Sequence, residues 1–144
     1  MAEHSRPEQV GLQYLSVAYR VRKVLNEQMT TSGLSLARTK VLQVLERNTS
    51  IRQTSLAQEL GFAQRSITQA VEGLERDGLV QRESDPTDGR AKLVTLTADG
   101  AAALAASTKA GNQALQQIFG TLDRKQLAQL DKLLTAIDAA ASAT

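Results

Sequence analysis

Five of the six residues from 64 to 69 carry hydrogen-bonding side chains and none is acidic: Gln64, Arg65, Ser66, Thr68 and Gln69. Arg90 and Lys92 follow beside a tight turn, with Asp88 and Gly89 just ahead of them. A guanidinium matches the two acceptors on the major-groove edge of guanine, and a carboxamide matches the donor–acceptor pair of adenine. Each good pair discriminates by roughly 1–3 kcal/mol. An arginine on a narrow projection suits the minor groove, where the potential is most negative when the groove is narrow. A lysine nearby adds a phosphate contact. This is recognition chemistry, not bond-breaking chemistry. The chain has no nucleophile–base constellation, no cluster of metal-ligating types and no glycine-rich phosphate loop, so no enzyme activity, metal or cofactor is expected.

Recognition needs rigid supports, and the sequence supplies them. Residues 63 to 77 have helical periodicity: on a wheel at 100° per residue, Ile67, Ala70, Val71 and Leu74 fall together and must be buried. Arg65, Gln69, Glu72 and Arg76 lie opposite, with Ser66 and Thr68 on the flanks. A solvated polar face is the plain alternative for such a helix taken alone. Its neighbours change the balance. A short helix over Thr54 to Leu60 ends at Gly61, and Phe62-Ala63 turns into the next helix, which is the spacing of a helix-turn-helix. Gly78 ends the second helix. Leu79 to Glu83 and Lys92 to Leu96 then pair as a hairpin, with Asp85-Pro86-Thr87-Asp88 as a type I turn. Gly89 allows a positive φ or a close approach. In an extended segment Asp88 and Arg90 point the same way, which lets the carboxylate hold the guanidinium.

The flanks are helical. The first helix is predicted over Glu8 to Met29, with the stripe Val10, Tyr14, Val17, Val21 and Val24. A second starts near Ser35 and carries Leu36, Val41, Leu42, Val44 and Leu45 until Asn48–Ser50 break it. Ile51 and Arg52 form a very short strand. Thr97 caps a helix over Ala98 to Phe119, which Gly111 weakens or bends. Asp123 to Gln126 reads as a capping box for a last helix, with the stripe Leu127, Leu130, Leu134, Ile137 and Ala141. The fold class is mainly α with a small β-hairpin wing: a winged helix-turn-helix over residues 35–100, flanked by helical segments 1–34 and 101–144.

Charge by sum argues little. The chain of 144 residues carries +2, and residues 50 to 100 hold six basic against eight acidic groups. Any affinity for a polyanion must come from placement. There is no Cys and one His, His4, which excludes disulfides and thiolate chemistry and leaves a transition metal without ligands. The absence of an 18-residue apolar run and of an apolar signal core points to a cytoplasmic protein with no membrane partner.

The stretch QTSLAQELGFAQRSITQAVEGLERDGLVQRESDPTDGRAKLVTLTADG resembles the winged helix-turn-helix of the multiple antibiotic resistance regulator (MarR) family. The matching pieces are Leu56-Ala57 to Leu60, Leu74-Glu75 to Arg82, Asp85-Asp88-Arg90, and Leu96-Thr97 to Gly100. The resemblance runs more loosely over the whole chain, including Gly33-Leu34-Ser35. One departure is Ala63, where the family commonly has a capping Ser or Thr, a loss of about 1 kcal/mol of helix stability. The resemblance implies a prokaryotic homodimer that binds double-stranded DNA at pseudo-palindromic operators, most often as a repressor. It carries Gln64, Arg65, Ser66, Thr68 and Gln69 into the major groove. Arg90 goes into the minor groove with Asp88 in support, Gly89 at its side and Lys92 on phosphate.

The sequence gives its own reason to expect a dimer: the first and last helices present long apolar stripes with no obvious partner inside one chain. An intrachain helical layer is the alternative. The family resemblance further implies a small phenolic or carboxylate effector between these helices and the winged unit. Tyr14, Tyr19, Arg20 and Arg38 are the candidate lining groups, because Tyr and Arg suit aromatic anions. The missing cysteine argues against peroxide sensing, and the lone histidine against zinc sensing. A winged helix used only for protein contacts, or a regulator without a ligand, are the remaining alternatives.

Overall fold

The computed structural model describes residues 4–144. Six helices and a three-stranded sheet follow the order α1 (Pro7–Thr31), α2 (Leu36–Arg47), β1 (Ile51–Arg52), α3 (Gln53–Leu60), α4 (Gln64–Arg76), β2 (Val80–Asp85), β3 (Asp88–Leu96), α5 (Ala98–Phe119), α6 (Arg124–Ser142). The sheet is antiparallel in the order β1-β3-β2. The expected fold class stands, and α5 has the expected ends. The hairpin strands are longer than expected, because the loop between them is only Pro86-Thr87.

Local chemistry sets the boundaries. Ser35 accepts from the Arg38 N–H, Thr97 from Gly100 and Asp123 from Gln126, whose side chain returns the bond to the Asp123 N–H. Each satisfies a first-turn N–H that would otherwise face no partner. Ala63 caps nothing, as its side chain requires. At the other ends, α3 and α4 each close with an i→i+5 bond, Phe62 N–H to Ala57 O at 3.0 Å and Leu79 N–H to Leu74 O at 2.9 Å. Both closures need a residue in the left-handed region, supplied by Gly61 (φ 68°) and Gly78 (φ 76°).

The core is aliphatic and sits inside the winged unit: Val41, Leu42, Val44 and Leu45 of α2, Leu56, Ile67, Val71 and Leu74 of the helix pair, Val80 and Val94 of the sheet, and Leu104 of α5. The α4 stripe read from periodicity is the buried one, with Ala70 partly buried. A buried hydroxyl pair joins α2 to α5, Thr39 to Ser107 at 2.7 Å. Thr39 donates to the Ser35 carbonyl, so Ser107 supplies the proton between them.

Gly111 does not interrupt α5. The helix is unbroken there, and the glycine lies against Met29 of α1, whose sulfur would be 3.3 Å from an added Cβ. This close approach seats the C-terminal half of α1 on α5. The N-terminal half of α1 is bare, with Leu12, Leu15 and Tyr19 more than three-fifths exposed. Helix α6 has no buried residue at all. No helix among the described residues is long and apolar enough to cross a membrane.

Candidate nucleic-acid interface

Helix α4 presents its first two turns outward. Gln64, Arg65, Ser66 and Gln69 are exposed, and Arg65, Ser66 and Gln69 have no side-chain hydrogen bond or ion pair among the described residues. Gln64 reaches back to the Thr54 carbonyl at 3.3 Å, a weak tether. Thr68 is more committed than the wheel suggested. It donates to the Gln64 carbonyl (2.9 Å) and accepts from the Gln53 amide (3.0 Å). That second bond holds α3 against α4. The basic tip of α4 also lies where the helix dipole favours an anion.

The wing departs from a regular hairpin at the residue that matters. Ser84 pairs with Lys92, and the next residue, Asp85, pairs with Asp88. Gly89, Arg90 and Ala91 therefore have no partner on β2. Arg90 sits in the middle of a bulge, a device that re-aims a side chain out of the pleat. The alternation that was to bring Asp88 and the Arg90 guanidinium together is broken here. Asp88 accepts instead from the backbone N–H of Arg90, at 3.1 Å. The guanidinium makes no ion pair among the described residues. Gly89 takes no positive φ, and the space beside it is open. Lys92 reaches the Ser84 hydroxyl at 3.2 Å and is otherwise exposed.

The winged unit, residues 35–100, holds nine basic and nine acidic groups, and four of the carboxylates are paired. Asp85 is taken by Arg52 at 2.7 Å, Glu75 by Arg82 at 3.0 Å, Asp77 by Arg38 at 3.0 Å, and Glu59 by Arg47 at 3.7 Å. The Arg82 side-chain bond lowers the Glu75 carboxyl from its ordinary value, and Glu75 raises Arg82 in return. Backbone and hydroxyl bonds from Thr87, and then Arg52, lower Asp85 against the opposing effect of burial. As partly exposed pairs these add little stability, about 0–1 kcal/mol each. Their effect is to leave Arg65, Arg90 and Lys92 as the free cations of the α4 tip and the wing. The spacing Glu75…Arg82 in the sequence motif is this contact between the end of α4 and β2.

The four candidate effector residues do not converge. Tyr14 lines a cleft of about 460 Å³ between α1, α2, α5 and α6, together with Val21, Leu36, Phe119, Leu130 and two cations the sequence reading missed, Arg22 and Lys40. Tyr19 lines an adjoining cleft of about 390 Å³ with the same two cations. Arg20 is turned away, donating to Ser16 at 2.9 Å along its own helix. Arg38 is committed to Asp77, lying over Gly73, where an added Cβ would collide with its guanidinium. Arg22 and Lys40 were legible only by knowing how α1 crosses α2.

The MarR family model matches residues 32–91, from just before α2 to the wing bulge. A putative transcriptional regulatory protein for the hcr operon of Thauera aromatica is 36% identical over 76 residues, 53% of this chain and 46% of that protein. The transcriptional regulator HosA of Escherichia coli O111:H- is 29% identical over 86 residues, 60% and 64% of the two chains. The chain thus spans about half to two thirds of these relatives' length. Wild-type apo MarR from E. coli superposes with a TM-score of 0.81 at 26% identity over 94% of this chain and 98% of its own. A mutant of that protein complexed with operator DNA gives 0.74 at 26% identity, covering 89% and 92%. The winged unit thus matches the MarR family model, and the fold along nearly the whole length is the winged helix-turn-helix architecture of the solved MarR structures.

Proposed function

We propose that the chain is a dimeric, sequence-specific DNA-binding transcriptional regulator, a repressor acting in the cytoplasm and released from its operator by a small aromatic anion. The observation that carries the DNA reading is the bulge that presents Arg90 unpaired beside an α4 tip free of carboxylates. The likeness to MarR, one structure of which is complexed with operator DNA, supports it. Residues 35–100 would read DNA, and the flanking segments would hold two protomers together. A two-fold dimer sets the reading helices about 34 Å apart, one turn of the duplex. The cleft at Tyr14, Arg22 and Lys40 joins an apolar floor to two cations, which suits an aromatic carboxylate or phenolate. A ligand that favours a misaligned dimer weakens operator binding by that preference alone, and a hundredfold effect needs about 2.7 kcal/mol.

The test starts from genomic fragments selected by the purified protein. On such a duplex, Arg90→Ala should weaken binding about tenfold or more, or about 1.4 kcal/mol, with an unchanged melting temperature. Unchanged affinity in an anisotropy titration would refute the wing contact. Arg65→Ala should relax preference at one symmetric base position, seen by competition with single-base variants. A uniform loss across sequences would assign Arg65 to phosphate instead. Affinity with no steep salt dependence would favour a winged helix used for protein contacts.

A further inference from the structure

The wing is unevenly supported. Strand β1 pairs with β3 at only two positions, Ile51–Val94 and Arg52–Leu93. Beyond Leu93 the wing is a two-stranded ribbon interrupted by the bulge at residues 89–91. A two-stranded ribbon is marginally stable in water, so its direction must be set from elsewhere. One bond reaches back from its far end. The Arg52 guanidinium meets the Asp85 carboxylate through Nη2 at 2.7 Å and Nε at 2.8 Å. Asp85 is the closing residue of the bulge and lies 8% exposed. Its other oxygen accepts from the Thr87 N–H (2.9 Å) and hydroxyl (2.8 Å), fixing the turn as well. At the near end, Arg52 is the N-cap of α3, and the next residue, Gln53, bonds Thr68 in α4.

We propose that Arg52 and Asp85 are positioning residues: their ion pair, buried on the Asp85 side only, is a strut that fixes the wing to the helix-turn-helix and so aims Arg90 relative to the tip of α4. The inference rests on the DNA reading above. Its geometry is independent of DNA. The strut spans from the residue that opens α3 to the residue that closes the bulge, and no other ion pair among the described residues reaches the distal wing. Pre-orienting Arg90 spares the complex the cost of ordering a swinging ribbon on binding.

The experiment compares wild type, Arg52→Met, Asp85→Asn, Arg90→Ala and the Arg52→Met/Arg90→Ala double variant on the selected duplex. Amide exchange is measured on the free proteins alongside. Arg52→Met and Asp85→Asn should each weaken binding by about threefold to tenfold, Arg52→Lys should recover part of it, and Arg52→Met should change little once Arg90 is alanine. Exchange at residues 86–92 should quicken while the core stays protected. Asp85→Asn keeps an acceptor for Thr87, so a folded protein is available even where Arg52→Met is poorly behaved. A loss from Arg52→Met that persists undiminished without Arg90 would make Arg52 a phosphate contact and overturn the strut. So would unchanged exchange in the wing, a result that needs no DNA. Full affinity in Arg90→Ala would instead refute the wing contact itself, and with it the purpose assigned to the strut.

Discussion

Gly100→Ala is expected to lower the melting temperature by roughly 3–8 °C. Gly100 is the third residue of α5 and is buried against the start of the wing. A Cβ there would overlap the carbonyl oxygen of Leu79 and stand 2.7 Å from a Leu96 methyl. The methyl can turn away. The carbonyl cannot, because it accepts the Thr97 N–H at 3.1 Å and belongs to the chain leaving α4. Overpacking against fixed backbone costs about 1–3 kcal/mol or more. The better helix propensity of alanine returns only about 1 kcal/mol. Gly73→Ala is the control, since there the added carbon meets the flexible end of Arg38. Thermal melts followed by circular dichroism decide it. A Gly100→Ala protein melting within about 2 °C of wild type would mean that α5 slides freely on the wing, against the packing described.

On the proposed dimer, Leu134→Glu/Ile137→Glu is expected to yield monomers and to weaken operator binding at least about a hundredfold, because one protomer would reach only one half-site. Neither residue is fully buried in its own chain: α6 has no buried residue, Leu134 is 37% exposed and Ile137 49%. The bare half of α1, from Val10 to Val17, adds a second uncovered apolar face. Covering one leucine or isoleucine is worth about 1.5–3 kcal/mol, and a two-fold seam counts every residue twice. The same symmetry doubles the penalty of each new carboxylate. Light scattering reads the mass and circular dichroism the fold. A double variant that remains dimeric would place the subunit contact elsewhere.

Much of this architecture was legible because local chemistry fixed it. The helix start near Ser35, the caps at Thr97 and Asp123, the glycine stops at Gly61 and Gly78, and the buried stripe of α4 all follow from spacing within a few residues. What escaped depended on register or on distance. Pairing Leu79–Glu83 with Lys92–Leu96 around Pro86-Thr87 leaves two residues too many on the second strand, and the observed register, with Glu83 opposite Leu93, makes it three. That surplus was visible in the sequence and is the bulge that carries Arg90. The Arg52–Asp85 and Arg38–Asp77 pairs span 33 and 39 residues and have no local signature. Arg38 looked available for an anion because its partner lies at the far end of another helix. Arg22 and Lys40 went unnoticed for the converse reason: they meet only where two helices cross.

The junction at Thr97 leaves no hinge. Its hydroxyl donates to the Gly78 carbonyl at 2.7 Å and accepts the Gly100 N–H at 3.0 Å, so one oxygen clamps the end of α4, the exit of the wing and the first turn of α5. Helix α5 is thereby a lever fixed to the winged unit. At 1.5 Å per residue it is roughly 33 Å long, so a tilt of about 5° at one end displaces the other by about 3 Å. In the proposed dimer, a small turn of one protomer about the other would therefore reach the winged unit magnified.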